Sequence, residues 1–281
     1  MKEEKMKKVS KPIFDVKEIV YDCAESLRND EKKNRIKTAA SIIAQKSIEY
    51  DDLAQEHSLS LITEHNTVAN NISKEEYLSL YDQKFVCHKN VRPKYYDKIM
   101  LLTNGRCPMC DVGQVGNLDH FLSKSLFPTY TLTPYNLIPI CRDCNYEKRE
   151  QSFNTYEKAP FHPYYDESDD VIWLKAALQL EEGGIVASYY VDSTISDERM
   201  IEKYRAHMEI FKLYKKYAIE AAREIADNYY MWKNGLDNWG ENAFIDFINS
   251  TILSLEKHQK NSWKIALYRA IIENISVLKD A

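Results

Sequence analysis

The chain has 281 residues, 44% of them hydrophobic, with 20 tyrosines, only seven glycines and a formal net charge of −5. That length suits one large domain or two to three small ones, and the apolar share permits a proper core while the few glycines exclude a loop-rich or repetitive protein. The negative balance excludes a histone-like grip on nucleic acid over the whole surface, and no apolar run approaches the roughly 18 residues of a membrane span.

The amino terminus, MKEEKMKKVSKP, is charged and has no apolar segment behind it, which predicts a cytoplasmic protein with no membrane partner. Residues 12 to 56 read as two helices. The first carries the stripe Val16, Ile19, Val20, Cys23 and Leu27, and the second carries Ile36, Ala39, Ala40, Ile43 and Ser47 beyond the charged break at 29–33. A polar stretch follows from His57 to Asn71; neither His57 nor His65 has a partner at ligand spacing, so both are expected to be ordinary polar residues. Ser73 with Glu76 is a capping-box signature for a short helix through Tyr81.

Pro93 opens a helix with Tyr95, Tyr96, Ile99, Met100 and Leu102, which Asn104-Gly105 stops. Two Cys-x-x-Cys knuckles come next, Cys107/Cys110 and Cys141/Cys144, with thirty residues between them. This is the ligand pattern of a tetrahedral structural zinc, each knuckle giving two thiolates from one tight turn. Four of the six cysteines are thereby committed to metal, and Cys23 and Cys87 are expected to be core or free thiols. Gly113 to Gly116 are expected to form a hairpin turn, placing Leu118-Asp119-His120 on a short strand. Residues 135 to 140 form a second extended piece, and 142 to 149 a helix.

From Lys84 to Arg149 there are ten Lys and Arg against five Asp and Glu, a local surplus of five positive charges that leaves −10 on the rest of the chain. A segregated basic patch is what a phosphate backbone needs. After Arg149 the Ala159–Pro163 segment is extended, and a hairpin of 171–180 with 184–191 turns at Glu181 to Gly184. Helices return from Ser196, with Ile201, Tyr204, Met208 and Phe211, then Ala218, Ala222 and Ile225. A break at Asn234-Gly235 precedes 244–255 and 263–278.

The residues 107–148 resemble an HNH endonuclease of the four-cysteine kind, a ββα-metal unit pinned by zinc. The resemblance covers about residues 92 to 150 and implies a role for each matching position. Asp119 and Asn145 would hold a catalytic Mg or Mn, hard oxygen donors suited to such a cation. His120 would be the general base, Asn136 would hold the loop and orient the His120 ring, and Lys148 and Arg142 would contact phosphate. Asn145 stands where many members carry His, and His162 is a further candidate that could fold back onto the site. The implied activity is hydrolysis of DNA phosphodiester bonds. Bacterial proteins of this kind with helical flanks are similar to nuclease subunits of anti-phage defence systems, encoded beside an ATPase; this chain has no G-x-x-x-x-G-K-S/T loop, so ATP dependence would come from that partner. The alternative is a non-catalytic zinc module that binds nucleic acid or a partner protein, and a third reading is a ribonuclease using the same site.

The expected fold is therefore mainly α, α+β overall, with a small zinc-bound ββα core and one further β-hairpin. The expected organisation is a helical region at 1–90, the nuclease domain at 91–165, and a hairpin with a helical region at 166–281.

Overall fold

In the computed structural model, residues 9–69 and 72–281 are described, so the charged stretch at the start lies largely outside the described residues. Ten α-helices and two two-stranded antiparallel sheets are found among them, in keeping with the mainly helical α+β class. The chain forms two compact units, one of residues 9–166 and one that takes in 167–281.

In the first unit, α1 (Val16–Glu25) starts where the Asp15 carboxylate accepts the Lys17 N–H, and α2 (Asp30–Gln55) where Asn29 accepts from Lys32. These side chains satisfy amide donors that a helix start leaves open, and Asp30 and Glu31 in the first turn of α2 suit its positive end. The buried stripes of both helices meet: Ile19, Val20 and Cys23 against Ile36, Ala40 and Ile43. Each large aliphatic side chain taken from water there contributes about 1.5–3 kcal/mol. Helix α3 (Lys74–Leu80) is capped by the Ser73 hydroxyl at 3.2 Å from the Glu76 N–H, and continues as a wide turn over Tyr81–Phe85. Helix α4 (Tyr96–Met100) is shorter than the sequence implies, flanked by single tight turns, and ends at Asn104 and Gly105, both left-handed.

The expected amino-terminal region and nuclease domain share one core. Leu118, Leu132 and Leu137 of the latter are buried in the same cluster as α1, α2 and α3, so no boundary falls near residue 90. Strand β1 (Val115–His120) pairs antiparallel with β2 (Leu137–Cys141), placing Asp119 opposite Ile138 and His120 opposite Leu137; α5 (Arg142–Lys148) follows at once. Pro139, which has no N–H to offer, is tolerated because β2 is an edge strand of a two-stranded sheet.

The expected hairpin turn at Gly113–Gly116 sits a few residues earlier. Gly105 and Val115, and Arg106 and Gln114, face each other, and the turn is the first knuckle itself. Gly113 serves close approach instead: a Cβ there would lie 2.7 Å from both Cβ and Sγ of Cys141.

In the second unit, β3 (Leu174–Glu181) pairs with β4 (Gly184–Val191) through the two-residue turn Glu182-Gly183. One face, Leu174, Ala176, Leu178, Ala187, Tyr189 and Val191, is buried. Helices α6 (Glu198–Ile210), α7 (Leu213–Trp239), α8 (Glu241–Glu256), α9 (Trp263–Glu273) and α10 (Ile275–Asp280) complete the unit. Lys212 is left-handed, which resets the helical phase, so the buried stripe of α7 is Leu213, Tyr217, Ala221 and Ile225, and Ala222 is exposed. The expected break at Asn234-Gly235 is absent: α7 runs through it and ends at Gly240, φ +80°. Gly235 leaves room for the Trp239 ring, which a Cβ would meet at 3.0 Å. No helix among the described residues is long and apolar enough to cross a membrane.

Candidate metal centre and ββα site

The four knuckle cysteines are buried, and their sulfurs all lie within 4.8 Å of one another. Thiolates about 2.3 Å from a tetrahedral zinc stand about 3.8 Å apart. The Sγ atoms of Cys110 and Cys141, one from each knuckle, are separated by 3.8 Å. Backbone amides complete the knuckles: Gly113 N–H donates to the Cys110 sulfur at 3.3 Å and Cys144 N–H to the Cys141 sulfur at 3.5 Å. Hydrogen bonds from neighbouring thiols, Cys107 first, hold Cys110 well below the usual thiol range and Cys141 down at about 7. The same bonds push Cys107 and Cys144 up. Two protons leave such a set readily, and a dication is what completes its ionisation. Cys23 is buried and Cys87 exposed, both free.

The second knuckle leads into α5, whose first turn Cys141 caps, so one short segment supplies two sulfurs, Asn145 and Lys148. Lys148 departs from the expected phosphate contact. It is 1% exposed, with its ammonium 2.8 Å from Asp119 Oδ2 and 2.7 Å from the His120 carbonyl oxygen. The helix turns its 145 and 148 positions to one side, three residues apart, and α5 packs on β1 and β2. Asn145 is half-buried on that side, and its amide makes no hydrogen bond among the described residues. Asp119, 20% exposed at its side chain, and Asn145 are therefore oxygen donors of a kind that fits a hard divalent cation, with Lys148 already beside one of them.

His120 alternates with Asp119 along β1 and is 5% exposed. Its ring meets Tyr81 edge-on at 4.7 Å, and Nε2 lies 2.9 Å from the Thr131 carbonyl oxygen. A carbonyl only accepts, so Nε2 bears the proton and the lone pair is on Nδ1, which makes no hydrogen bond among the described residues. Burial pushes His120 down to about 3, with Lys124 and Lys148 adding to the effect against the Thr131 carbonyl.

Asn136 is fully buried, and its amide is saturated. Oδ1 accepts the Leu122 N–H at 2.8 Å and the Tyr50 hydroxyl at 3.1 Å; Nδ2 donates to the carbonyls of Leu122 and Tyr130, both at 3.1 Å. It closes the 121–136 loop. His162 does fold back, but into an aromatic cluster, 4.2 Å from the Phe121 ring and 4.6 Å from Tyr165, with Nε2 3.2 Å from the Tyr50 hydroxyl.

The loop is held by residues that sequence reasoning passed over. Ser47 and Thr133 hydroxyls meet at 2.7 Å, the Tyr135 hydroxyl donates to the Ser47 carbonyl at 2.9 Å, and His65 Nε2 lies 2.8 Å from the Thr129 hydroxyl. Tyr164 donates to the Leu137 carbonyl at 2.7 Å. The available signal was Ser47, a polar residue in an apolar stripe, with Tyr50 one turn further on.

Five of the ten basic side chains between residues 84 and 149 are paired within the fold. Lys94 pairs with Glu18 and Asp22, Lys124 with Asp82, Arg92 with Asp97, Arg106 with Asp111 and Lys148 with Asp119. Lys84, Lys89, Lys98, Arg142 and Arg149 have no carboxylate partner among the described residues. Arg142 and Arg149 are exposed at the two ends of α5, with the Arg149 guanidinium 5.9 Å over the exposed Tyr146 ring.

A mainly helical α+β chain bearing a buried four-cysteine cluster, close enough to hold a metal ion, is the class that fold and site define. By sequence the chain is similar to Protein ea31 of Escherichia phage lambda, 28% identical over 239 residues that make up 79% of this chain and 78% of that one. No family model matches the chain. No solved structure matches it.

Proposed function

We propose that the protein is an HNH-type endonuclease that hydrolyses phosphodiester bonds in DNA, with the cysteine cluster holding structural zinc. One observation supports this reading: the strand bearing Asp119 and His120 pairs with the strand that leads from Asn136 into the second cysteine knuckle, and the helix bearing Asn145 packs on both strands. A zinc staple alone needs none of these four.

Each residue then has a task. Asp119 and Asn145 would hold Mg or Mn, which when bound polarises the phosphate and eases departure of the 3′ oxygen. His120, neutral and with its lone pair on Nδ1, takes the proton from the attacking water. Its low basicity in the free protein rises when an anionic phosphate arrives beside it, because an adjacent negative charge favours the imidazolium. Arg142 and Arg149, exposed at the two ends of α5 and without a carboxylate partner among the described residues, suit the DNA backbone. As part of the same reading, the nuclease serves bacterial anti-phage defence with a separately encoded ATPase, which co-expression of the neighbouring gene under phage challenge would test.

The competing reading, a non-catalytic zinc module, is favoured by the Lys148 ammonium on Asp119, which occupies the carboxylate meant for the cation. Nicking of supercoiled plasmid separates the two. His120→Ala should keep zinc content and DNA binding and lose about 10²–10⁴ in rate. Asp119→Ala should regain part of its loss at high Mg²⁺ or Mn²⁺, and His120→Ala should not. Undiminished cutting by His120→Ala would remove the nuclease reading; RNA in place of plasmid tests the ribonuclease variant.

A further inference from the structure

We propose that Tyr50, on α2 and far from the motif in sequence, is a positioning residue for His120, acting through Asn136. The proposal rests on the nuclease reading and names the part that the helical region plays in the site.

Tyr50 is fully buried, packed against the rings of Tyr130 at 5.3 Å, Tyr135 at 5.9 Å and His162 at 6.4 Å. Phenylalanine would fill that space equally well, and a buried hydroxyl is costly unless bonded. The Tyr50 hydroxyl has two partners. His162 Nδ1 accepts the Tyr164 N–H at 3.3 Å, so in the neutral ring the proton is on Nε2, which donates to the Tyr50 oxygen at 3.2 Å. The hydroxyl proton is then free for Asn136 Oδ1 at 3.1 Å. Asn136 in turn donates to the Tyr130 carbonyl, one peptide before the Thr131 carbonyl that holds His120 Nε2 at 2.9 Å. Every donor points the same way, from His162 through Tyr50 and Asn136 to the loop backbone, and hydrogen bonds in such a series polarise one another. The Tyr50 O–H is also one of the two donors that the described residues offer the Asn136 oxygen, so it helps to fix which way round the amide sits.

A neighbouring bond supplies the control. The Tyr135 hydroxyl also ties the loop to α2, through the Ser47 carbonyl, and among the described residues makes no hydrogen bond to Asn136 or His120. In the full chain, Tyr50→Phe should retain zinc and an unchanged KM for plasmid DNA while kcat falls about 10- to 100-fold, the scale of a small misplacement of a reacting group. Tyr135→Phe should keep kcat within about two-fold. The ¹⁵N shifts of the His120 ring, which report the tautomer without any turnover, should move in Tyr50→Phe and stay in Tyr135→Phe. Equal kcat losses in both variants would overturn the proposal, as would an unmoved His120 tautomer in Tyr50→Phe. Wild-type kcat in Tyr50→Phe beside an inactive His120→Ala overturns it and leaves the nuclease reading standing, whereas full activity of His120→Ala removes that reading itself. If Tyr50→Phe does not fold, His162→Phe takes one donor from the Tyr50 oxygen and keeps an aromatic ring at that position; a smaller loss of kcat supports the proposal and an unchanged kcat overturns it.

Discussion

The protein contains two antiparallel strand pairs built on opposite terms. β3 and β4 are joined by two residues, alternate buried and exposed side chains, and find their register locally. β1 and β2 are separated by sixteen residues, and every residue of β2 is buried. Each pair has one buried asparagine that saturates backbone groups: Asn136 for the first, and for the second Asn261, which accepts from Trp173 and Leu174 and donates to Ser168 and Val171. The lesson is that the hairpin with a two-residue turn carries none of the candidate site residues, and the pair bearing Asp119 and His120 is closed across its long loop by side chains from α2 and from residues 162–164.

The largest test of this contrast is metal removal. Chelation, or Cys141→Ser, should abolish hydrogen-exchange protection of residues 115–148 and leave that of 174–191, since a structural zinc contributes on the order of 10 kcal/mol of binding free energy to the fold that holds it. Elemental analysis should find one zinc per chain before treatment. Next come the asparagines. Asn136→Ala and Asn261→Ala each strand several buried backbone groups and should each cost about 3 kcal/mol in denaturant titration, but only Asn136→Ala should also change DNA cleavage.

Gly113→Ala, forced against Cys141, should cost about 1–3 kcal/mol and weaken zinc retention. The pH dependence follows from His120. Its folded pKa of about 3 lies below the unfolded value near 6.5, so between these limits the unfolded chain binds the proton first and stability falls as pH falls. That contribution is about 1.4 kcal/mol per pH unit, and His120→Gln should remove it. The smallest effect is Gly183→Ala in the β3–β4 turn, where φ is +113° but space is open: about 1 kcal/mol, with zinc untouched.

Much of the fold was legible because its signals are local. The stripes of α1 and α2, the Ser73 cap and the Glu182-Gly183 turn each lie within a few residues of what they determine. The cysteine cluster was legible because ligand chemistry is specific in type and spacing. Glycine misled twice, at Gly113 and Gly235, because a missing side chain marks a turn and a close neighbour alike. Tyr50 and Lys148 were unreadable for a different reason: a buried tyrosine and a lysine after Cys-Asn look ordinary until distant partners are in place. By supplying Ser47 and Tyr50 the helical region shapes the loop, so a fragment of residues 84–165 should lose the ordered site.

The Lys148–Asp119 pair has an energetic consequence for the empty protein. A carboxylate left alone at that depth would strain the fold until a cation arrived; with the ammonium 2.8 Å away, its charge is already balanced. The fold therefore does not wait for a cation to balance Asp119, and millimolar magnesium should raise the melting temperature only by the small amount that weak binding to the folded state supplies.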